Sequence, residues 1–131
     1  MSEIELELQT IIVRTTTGRL PVEAVVLNDV IAIHPEFPLE FDESWTVTHI
    51  PTGRQFQSFN HDHIALLVAE WLIGLPVDWR AVQVRLSDKG KWQAVGVPPE
   101  LQKRIFEVMT TLYDCGNRRI AKDLLAKKGK V

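Results

Sequence analysis

Residues 45–75 read WTVTHIPTGRQFQSFNHDHIALLVAEWLIGL, and this stretch predicts a β-hairpin that leads directly into an amphipathic helix. Pro51 presets its own φ angle and Gly53 supplies a positive φ angle, so the two residues predict the turn of the hairpin. Because side chains alternate along a strand, the strand before the turn places three of them on one face: Trp45, Val47 and His49. The same alternation predicts that Phe56 and Phe59 lie on opposite faces of the return strand, unless the chain has already left the sheet there.

The helix is predicted from apolar residues that recur at every third or fourth position: Ile64, Leu67, Val68, Trp71, Leu72 and Leu75. We expect Asn60 to be the N-cap, because its short side chain can accept hydrogen bonds from the first backbone N–H groups of the helix. We expect Gly74 to end the helix in a left-handed conformation. These signals place the helix at residues 61–75.

Residues 1–60 are predicted to be mainly strands. At the start of the chain, apolar side chains alternate with glutamates, which indicates a strand with one buried face: Ile4, Leu6 and Leu8. Three successive apolar residues at positions 11–13 shift this alternation and predict either a bulge or a strand buried on both faces. Further strands are predicted at residues 22–26 and 30–34, before an acidic surface loop at residues 36–44.

Residues 80–95 predict a second hairpin, because two alternating runs flank the turn residues Asp88, Lys89 and Gly90. Residues 98–131 predict C-terminal helices. The first of these helices has one apolar face: Leu101, Ile105, Val108, Met109 and Leu112. Asn117 is expected to cap a second, shorter helix that has its own apolar residues: Ile120, Leu124 and Leu125.

Together these elements predict a single α+β domain over residues 1–131, with an antiparallel sheet of four to six strands. The helix at residues 61–75 is expected to pack on one face of the sheet. One or two C-terminal helices either pack beside that helix or form a projecting arm. A length of 131 residues suits one domain, and a composition of 45% hydrophobic and 24% charged residues is typical of globular proteins.

The sequence also predicts where the protein works. No apolar run approaches the ~20 residues of a membrane-spanning helix, so we expect no membrane partner. The N-terminal residues are acidic and lack the apolar segment of a secretory signal. Cys115 is the only cysteine, which excludes an intrachain disulfide and fits a reducing compartment. We therefore expect a cytoplasmic protein.

The charge is distributed unevenly along the chain, although the net charge is only −2. Residues 1–60 contain nine acidic residues against three arginines, whereas residues 61–131 contain twelve lysines and arginines against eight acidic residues. The positive charge concentrates near the C-terminus and includes Arg118, Arg119 and Lys122. A basic tail of this kind indicates a nucleic-acid partner. The alternative is a solvated helix end, where cations complement the helix dipole.

No constellation of residues in the sequence predicts catalysis. His61 and His63, with His49 upstream, are residues of the type that bind zinc. In the first turn of the predicted helix, however, His61 and His63 would point about 200° apart and would lie at the positive end of the helix dipole. The sequence also lacks a Gly-x-Ser-x-Gly motif and a glycine-rich phosphate loop. We therefore predict no enzyme activity, no catalytic residue, no bound metal and no cofactor.

Two clusters of aromatic and basic residues favour a binding function. The first contains Trp45 and Arg54 on the predicted hairpin, where an exposed sheet face with Thr46 and Thr48 would suit single-stranded nucleic acid. An ordinary solvated sheet face is the alternative interpretation. The second cluster consists of Trp79, Arg80 and Trp92. Tryptophan and arginine are enriched at the centres of protein interfaces, so this cluster indicates a protein partner.

The leading hypothesis is therefore a non-enzymatic binding protein that acts through protein–protein contact. The alternative is a nucleic-acid-binding protein that uses the basic C-terminal tail and the aromatic hairpin. The sequence leaves the oligomeric state open.

The hairpin motif itself adds a resemblance. Residues 45–53 fit the motif Trp-x-Val-Thr-His-x-Pro-Thr-Gly, and a return strand and an amphipathic helix follow it. This pattern resembles one in short uncharacterised proteins of phages and mobile elements, and it covers the hairpin and the first helix only. The resemblance carries no assigned activity and no site residues. It implies a small accessory protein, such as a phage regulator, that binds macromolecules of the host or the phage.

Overall fold

A computed structural model describes residues 6–15, 18–35, 44–86, 90 and 92–128, and at residues 14, 15, 86, 92, 93 and 128 it describes the backbone alone. Five strands form one antiparallel sheet in the order of the sequence: β1 (Leu6–Thr15), β2 (Gly18–Leu27), β3 (Ile31–Pro35), β4 (Trp45–His49) and β5 (Arg54–Phe59). A separate hairpin consists of β6 (Gln83–Leu86) and β7 (Trp92–Val95). The helices are α1 (Asp62–Ile73), α2 (Pro99–Leu112) and α3 (Arg118–Lys128). The predicted α+β class and the second hairpin are confirmed. The predicted acidic loop lies, at residues 36–43, outside the described residues.

The three helices and one face of the five-stranded sheet enclose the main core of the protein. Its largest fully buried side chains come from both the sheet and the helices: Leu27, Ile31, Phe59, Ile64, Leu72 and Leu112. The apolar face predicted for α2 is confirmed, because all five of its residues are buried. The helix α3 contacts both α1 and α2, so α3 packs beside the first helix and the C-terminal helices do not form a projecting arm.

The opposite face of the sheet encloses a second core. The strands β1 and β5 stand at the two ends of the strand order and yet contact each other, so the sheet curls and closes over this face. The buried apolar side chains here are small or medium in size: Ile11, Val13, Val22, Ala24, Val26 and Ala32. Three buried polar side chains of β3 and β4 share this face of the sheet: His34, Thr46 and Thr48.

The strand β1 differs from its prediction in two ways. It pairs with β2 from Leu6 to Thr15 without any shift of register, and Ile12 is 51% exposed, so both predicted alternatives, a bulge and a strand buried on both faces, are wrong. Its alternation is also opposite to the one predicted: Leu6 and Leu8 are 53% and 74% exposed, whereas Ile11 and Val13 are buried. The physical reason is the pairing with β2, which places Ile11 opposite Val22 on the closed face of the sheet.

The two ends of α1 also differ from the prediction. The N-cap is His61, which has an extended backbone and makes no capping hydrogen bond with its side chain. Asn60 is not the N-cap, because its side-chain amide donates a hydrogen bond to the carboxylate of Asp114 instead. Gly74 ends the helix in a right-handed conformation, with a φ angle of −78°, and its N–H group donates to the carbonyl oxygens of the last turn. The prediction that Gly74 adopts a left-handed conformation is therefore wrong.

The helix α3 begins as predicted. The Asn117 Oδ1 atom accepts hydrogen bonds from the backbone N–H groups of Arg119 and Ile120, at 3.0 and 3.1 Å. Ile120 is 60% exposed and does not belong to the buried face, which Ala121 and Leu125 form. In the described part of the chain, no helix is long and apolar enough to cross a membrane.

Candidate functional site

The turn of the β4–β5 hairpin brings His49 and Arg54 to one end of the main core. Gly53 has a φ angle of +70°, which confirms the turn predicted at Pro51-Thr52-Gly53. The Gly53 N–H group donates to the carbonyl oxygen of His49 at 2.9 Å, and the Arg54 N–H group donates to the Thr52 Oγ1 atom at 3.2 Å. These bonds hold the turn, so the side chains that flank it have fixed positions.

A β-bulge determines where Phe56 lies. Val47 pairs with Gln57 and Thr48 pairs with Gln55, so Phe56 is one extra residue in β5. An extra residue resets the alternation of side chains along the strand. As a result, Phe56 packs against the main core on the same side as Phe59, and the prediction that they lie on opposite faces is wrong.

Phe56, His49 and Trp79 form an aromatic cluster. The rings of Phe56 and Trp79 meet edge to face with their centroids 5.7 Å apart, and the His49 ring centroid lies 6.0 Å from that of Trp79. Trp79 is only 5% exposed, and its indole N–H group donates to the carbonyl oxygen of Leu72 at 2.7 Å. Trp79, which the sequence predicts as a binding residue, therefore lies in the core, where a carbonyl group at the end of α1 holds its indole ring.

The hydrogen bonds of His49 indicate which ring nitrogen carries the proton in the neutral imidazole. Its Nε2 atom lies 2.5 Å from the carbonyl oxygen of Trp79, which can only accept, so Nε2 carries the proton. The Nδ1 atom then accepts from the hydroxyl of Thr52 at 2.8 Å. Burial lowers the pKa of His49, and the bond to the Trp79 carbonyl opposes this shift in part. The neutral imidazole thus links the hairpin to the segment that follows α1.

An apolar groove of about 260 Å³ opens beside this cluster. It lies between the turn and β5 on one side and the β6–β7 hairpin and α2 on the other. Its lining is mostly apolar: Phe56, Trp79, Val82, Val84, Ala94, Val97, Ile105, Phe106 and Met109. Four polar residues and one cation complete it: His49, Thr52, Gln55, Gln102 and Arg54. No described lining residue carries a carboxylate.

The far wall of the groove is held by Gln102 at the start of α2. Its side-chain amide donates to the carbonyl oxygens of Val97 and Ala94, at 2.7 and 3.3 Å. On the near side, the amide of Gln57 donates to the carbonyl oxygen of Met109 at 2.6 Å and joins β5 to α2. Phe106 is 69% exposed at the groove. An apolar groove with fixed walls and an exposed aromatic ring is suited to binding an apolar group.

The structure brings only two of the predicted binding residues together at the groove, Arg54 and Trp79. Trp45 is half-buried and packs against the main core. Arg80 is exposed and lines a different, shallow depression beside Asn28. The side chain of Trp92 lies outside the described residues. Arg118, Arg119 and Lys122 are exposed on α3 and line no part of the groove.

The sheet face predicted to bind nucleic acid is buried. Thr46 and Thr48 are 1% and 0% exposed, so the prediction that they lie on a solvated face is wrong. Thr46 shares a hydrogen bond with Ser58, and the hydroxyl of Thr48 lies 2.8 Å from the His34 Nε2 atom. The curl of the sheet brings this face into the second core, which the alternation within one strand does not reveal.

Phe106 and Gln102 are two of the groove residues that were not predicted from the sequence as binding residues. Phe106 lies outside the apolar stripe of α2, and its only signal in the sequence is a single phenylalanine on the polar side of an amphipathic helix. Gln102 has no such signal, because its role depends on carbonyl groups of the preceding loop and of β7.

His61 and His63 lie closer together than their spacing predicts. Their ring centroids are 5.5 Å apart, because His61 precedes the helix and the helical angle between the two residues does not apply. Both rings contact Gly116: the Nε2 atom of His63 lies 3.2 Å from its carbonyl oxygen, and a Cβ atom at Gly116 would lie 2.9 Å from His61 Nε2. Among the described residues, no three histidine, cysteine or acidic side chains converge in a way that could hold a metal ion.

Comparison of the chain with protein-family models, with curated proteins and with solved structures found no match. The resemblance of residues 45–75 to phage and mobile-element proteins therefore stays a prediction.

Proposed function

We propose that this chain is a non-enzymatic binding protein that holds a large apolar side chain of a protein partner in the groove beside Trp79. The observation that carries the proposal is the groove itself, which has an aromatic floor made by Phe56 and Trp79 and an exposed Phe106 at its rim. Large apolar anchors that fill such pockets supply most of the binding free energy in many protein interfaces.

The size of the groove favours a side chain over a cofactor. Pockets that bind cofactors and drug-sized ligands commonly measure about 300–1,000 Å³, and this groove measures about 260 Å³. A partner segment with acidic residues near its apolar anchor fits the lining, because no described lining residue carries a carboxylate that would repel it. The proposed occupant is therefore an extended peptide segment with one large apolar residue and neighbouring acids.

The chemistry of the lining supports binding more than catalysis. The only described imidazole in the groove belongs to His49, and its two ring nitrogens already bond to Thr52 and to the Trp79 carbonyl. A general base needs a nitrogen that can reach a substrate proton. Two of the other polar lining residues, Gln102 and Thr52, bond to the backbone of the groove walls.

The proposal includes a setting. A small protein with one cysteine fits the reducing cytoplasm, and the hairpin motif at residues 45–53 suggests a regulator encoded by a phage or mobile element. In that setting, the partner would be a protein of the host or of the phage.

Selection from a random peptide library on the immobilised protein tests the proposal. We expect the selected peptides to share one large apolar residue with acidic neighbours. Ala94 lines the groove, so the substitution Ala94→Phe fills it, and we expect at least a tenfold loss of peptide affinity by fluorescence anisotropy. Phe106→Ser should weaken binding less strongly.

Ile120→Ser is the matched control, because Ile120 is also an exposed apolar residue on a helix and lies outside the groove. It should leave the peptide affinity unchanged. Peptides without a common apolar residue, or peptides that bind the Ala94→Phe variant as tightly as the original chain, would reject the groove as the binding site.

A further inference from the structure

The helix α3 forms a cationic surface that is separate from the groove. Its eleven residues carry five cations, Arg118, Arg119, Lys122, Lys127 and Lys128, against one acid, Asp123. Arg118, Arg119 and Lys122 are exposed and line a shallow depression together with Asp123. The described structure shows no ion pair of these three cations with an acid.

The position of these cations within the helix makes them unlike an ordinary solvated helix end. Cations stabilise a helix near its C-terminus, where the dipole is negative, and oppose the dipole near its N-terminus. Arg118 and Arg119 occupy the first turn of α3, and Asn117 already caps that turn. The helix dipole accounts for the positions of Lys127 and Lys128 near the C-terminus of α3. It does not account for the two arginines near the N-terminus. The repulsion between the two arginines and the positive end of the helix dipole is relieved when an anion lies against this end of the helix.

We infer that the exposed side of α3 around Arg118, Arg119 and Lys122 binds the phosphate backbone of a nucleic acid. Arg118 and Lys122 are one helical turn apart, about 6 Å along the axis. Phosphates of one strand of B-DNA follow each other at about 3.4 Å of rise, so both side chains can contact phosphates of a single strand. The surface therefore matches a partner whose negative charges repeat along a line.

The shape of this surface favours a nucleic acid over an acidic protein. Protein hot spots need a packed apolar or aromatic centre. Within the described part of α3, the only large exposed apolar side chain is Ile120, and the depression is shallow and lined by charged residues. Contacts of this kind hold phosphates without reading the base sequence.

Binding of a fluorescein-labelled, 20-nucleotide single-stranded DNA, followed by fluorescence anisotropy, tests the inference. Contacts with three or four phosphates should give a slope of about −2 to −3 for log K against log[NaCl]. The variant R118Q/R119Q/K122Q should lose at least tenfold in affinity at 50 mM NaCl, and its slope should become shallower by about 2. These residues are exposed, so circular dichroism should show an unchanged fold.

The matched control is R80Q/R85Q/K103Q, which removes the same number of positive charges from exposed positions outside α3. Its affinity should stay within twofold of the original chain. The inference is overturned if the original chain does not bind at 50 mM NaCl, if both variants lose affinity equally, or if the slope does not change. It is also overturned if poly-glutamate competes as well as unlabelled DNA, since that result assigns the surface to an acidic protein.

Discussion

The two cores lie on opposite faces of the same five strands, and they are built from different side chains. The main core, under the helices, contains the largest buried residues, including Phe59, Leu72 and Leu112. The second core contains valines, alanines and one isoleucine beside a buried hydrogen bond between His34 and Thr48. A helix can shift outward to make room for a large side chain, whereas a sheet that closes on itself leaves a fixed, narrow space. The covering element thus decides which residues each face accepts.

The largest expected effect is the loss of bulk in the main core. Phe59→Ala should lower the free energy of unfolding by about 3–5 kcal/mol, because Phe59 is fully buried and its removal leaves a cavity. Urea denaturation followed by tryptophan fluorescence measures this loss. If the variant does not fold, Phe59→Leu gives a smaller, measurable loss. If Val13→Ala in the second core lowers the free energy of unfolding as much as Phe59→Ala does, the proposed difference between the two cores is wrong.

The second core should be most sensitive to added volume. Ala32 is fully buried there, so Ala32→Leu should lower the free energy of unfolding by about 1–3 kcal/mol through overpacking. Ala126→Leu on the exposed side of α3 is the matched control and should be close to neutral in the same urea experiment. If Ala32→Leu leaves the free energy of unfolding unchanged, the second core has space for a larger side chain at this position.

Each core contains one buried histidine, and both should make stability depend on pH. Burial lowers the pKa of His34 and of His49 below the usual value of about 6.5, so the unfolded chain binds more protons than the folded chain just below that pH. The free energy of unfolding should therefore be highest above about pH 6.5 and should decrease as the pH falls below it.

Urea denaturation between pH 8 and pH 5 measures this dependence. His34→Gln should remove the pH dependence of the free energy of unfolding that comes from the second core. His49→Gln should remove the pH dependence that comes from the main core. A free energy of unfolding that stays constant over this range in the original chain would contradict the prediction for both residues.

The smallest effect is expected on the outer side of β1. Leu8 is 74% exposed, so Leu8→Ser should change the free energy of unfolding by no more than about 0.5 kcal/mol. Val13→Ser on the same strand should cost far more, because Val13 is buried and the serine hydroxyl would enter the second core. A large cost for Leu8→Ser would indicate that another molecule covers this strand, which sedimentation velocity would detect.

The sequence predicted the elements whose signals are local. The α2 stripe has a clear helical period, and the turn at Gly53 has the required residue types, so the α+β class and both features were predicted correctly. The buried face of β1 was not predicted correctly. Three apolar residues in a row at positions 11–13 fit an alternation that buries the even-numbered residues as well as one that buries the odd-numbered residues. Only the pairing of Ile11 with Val22 on the neighbouring strand decides between them, and the pattern within β1 alone does not contain that pairing.

The candidate site could be predicted only in part. Arg54 and Trp79 were named from the sequence, but Trp79 lies in the floor of the groove and not on a surface. Its burial depends on the carbonyl group of Leu72 and on the ring of Phe56, which reaches it through a bulge. No periodicity within a single segment contains this information, because the groove is made by four segments that meet in space.

The bulge at Phe56 affects how the groove and the hairpin can change when a residue of β5 is deleted. If Phe56 alone were deleted, the remaining five residues of β5 would still pair one to one with the five residues of β4, from Trp45 with Phe59 to His49 with Arg54. The hairpin would survive as a regular ladder, and the groove would lose one of its two floor rings. Deletion of a single codon can therefore change the floor of the groove while the pairing of the hairpin is kept.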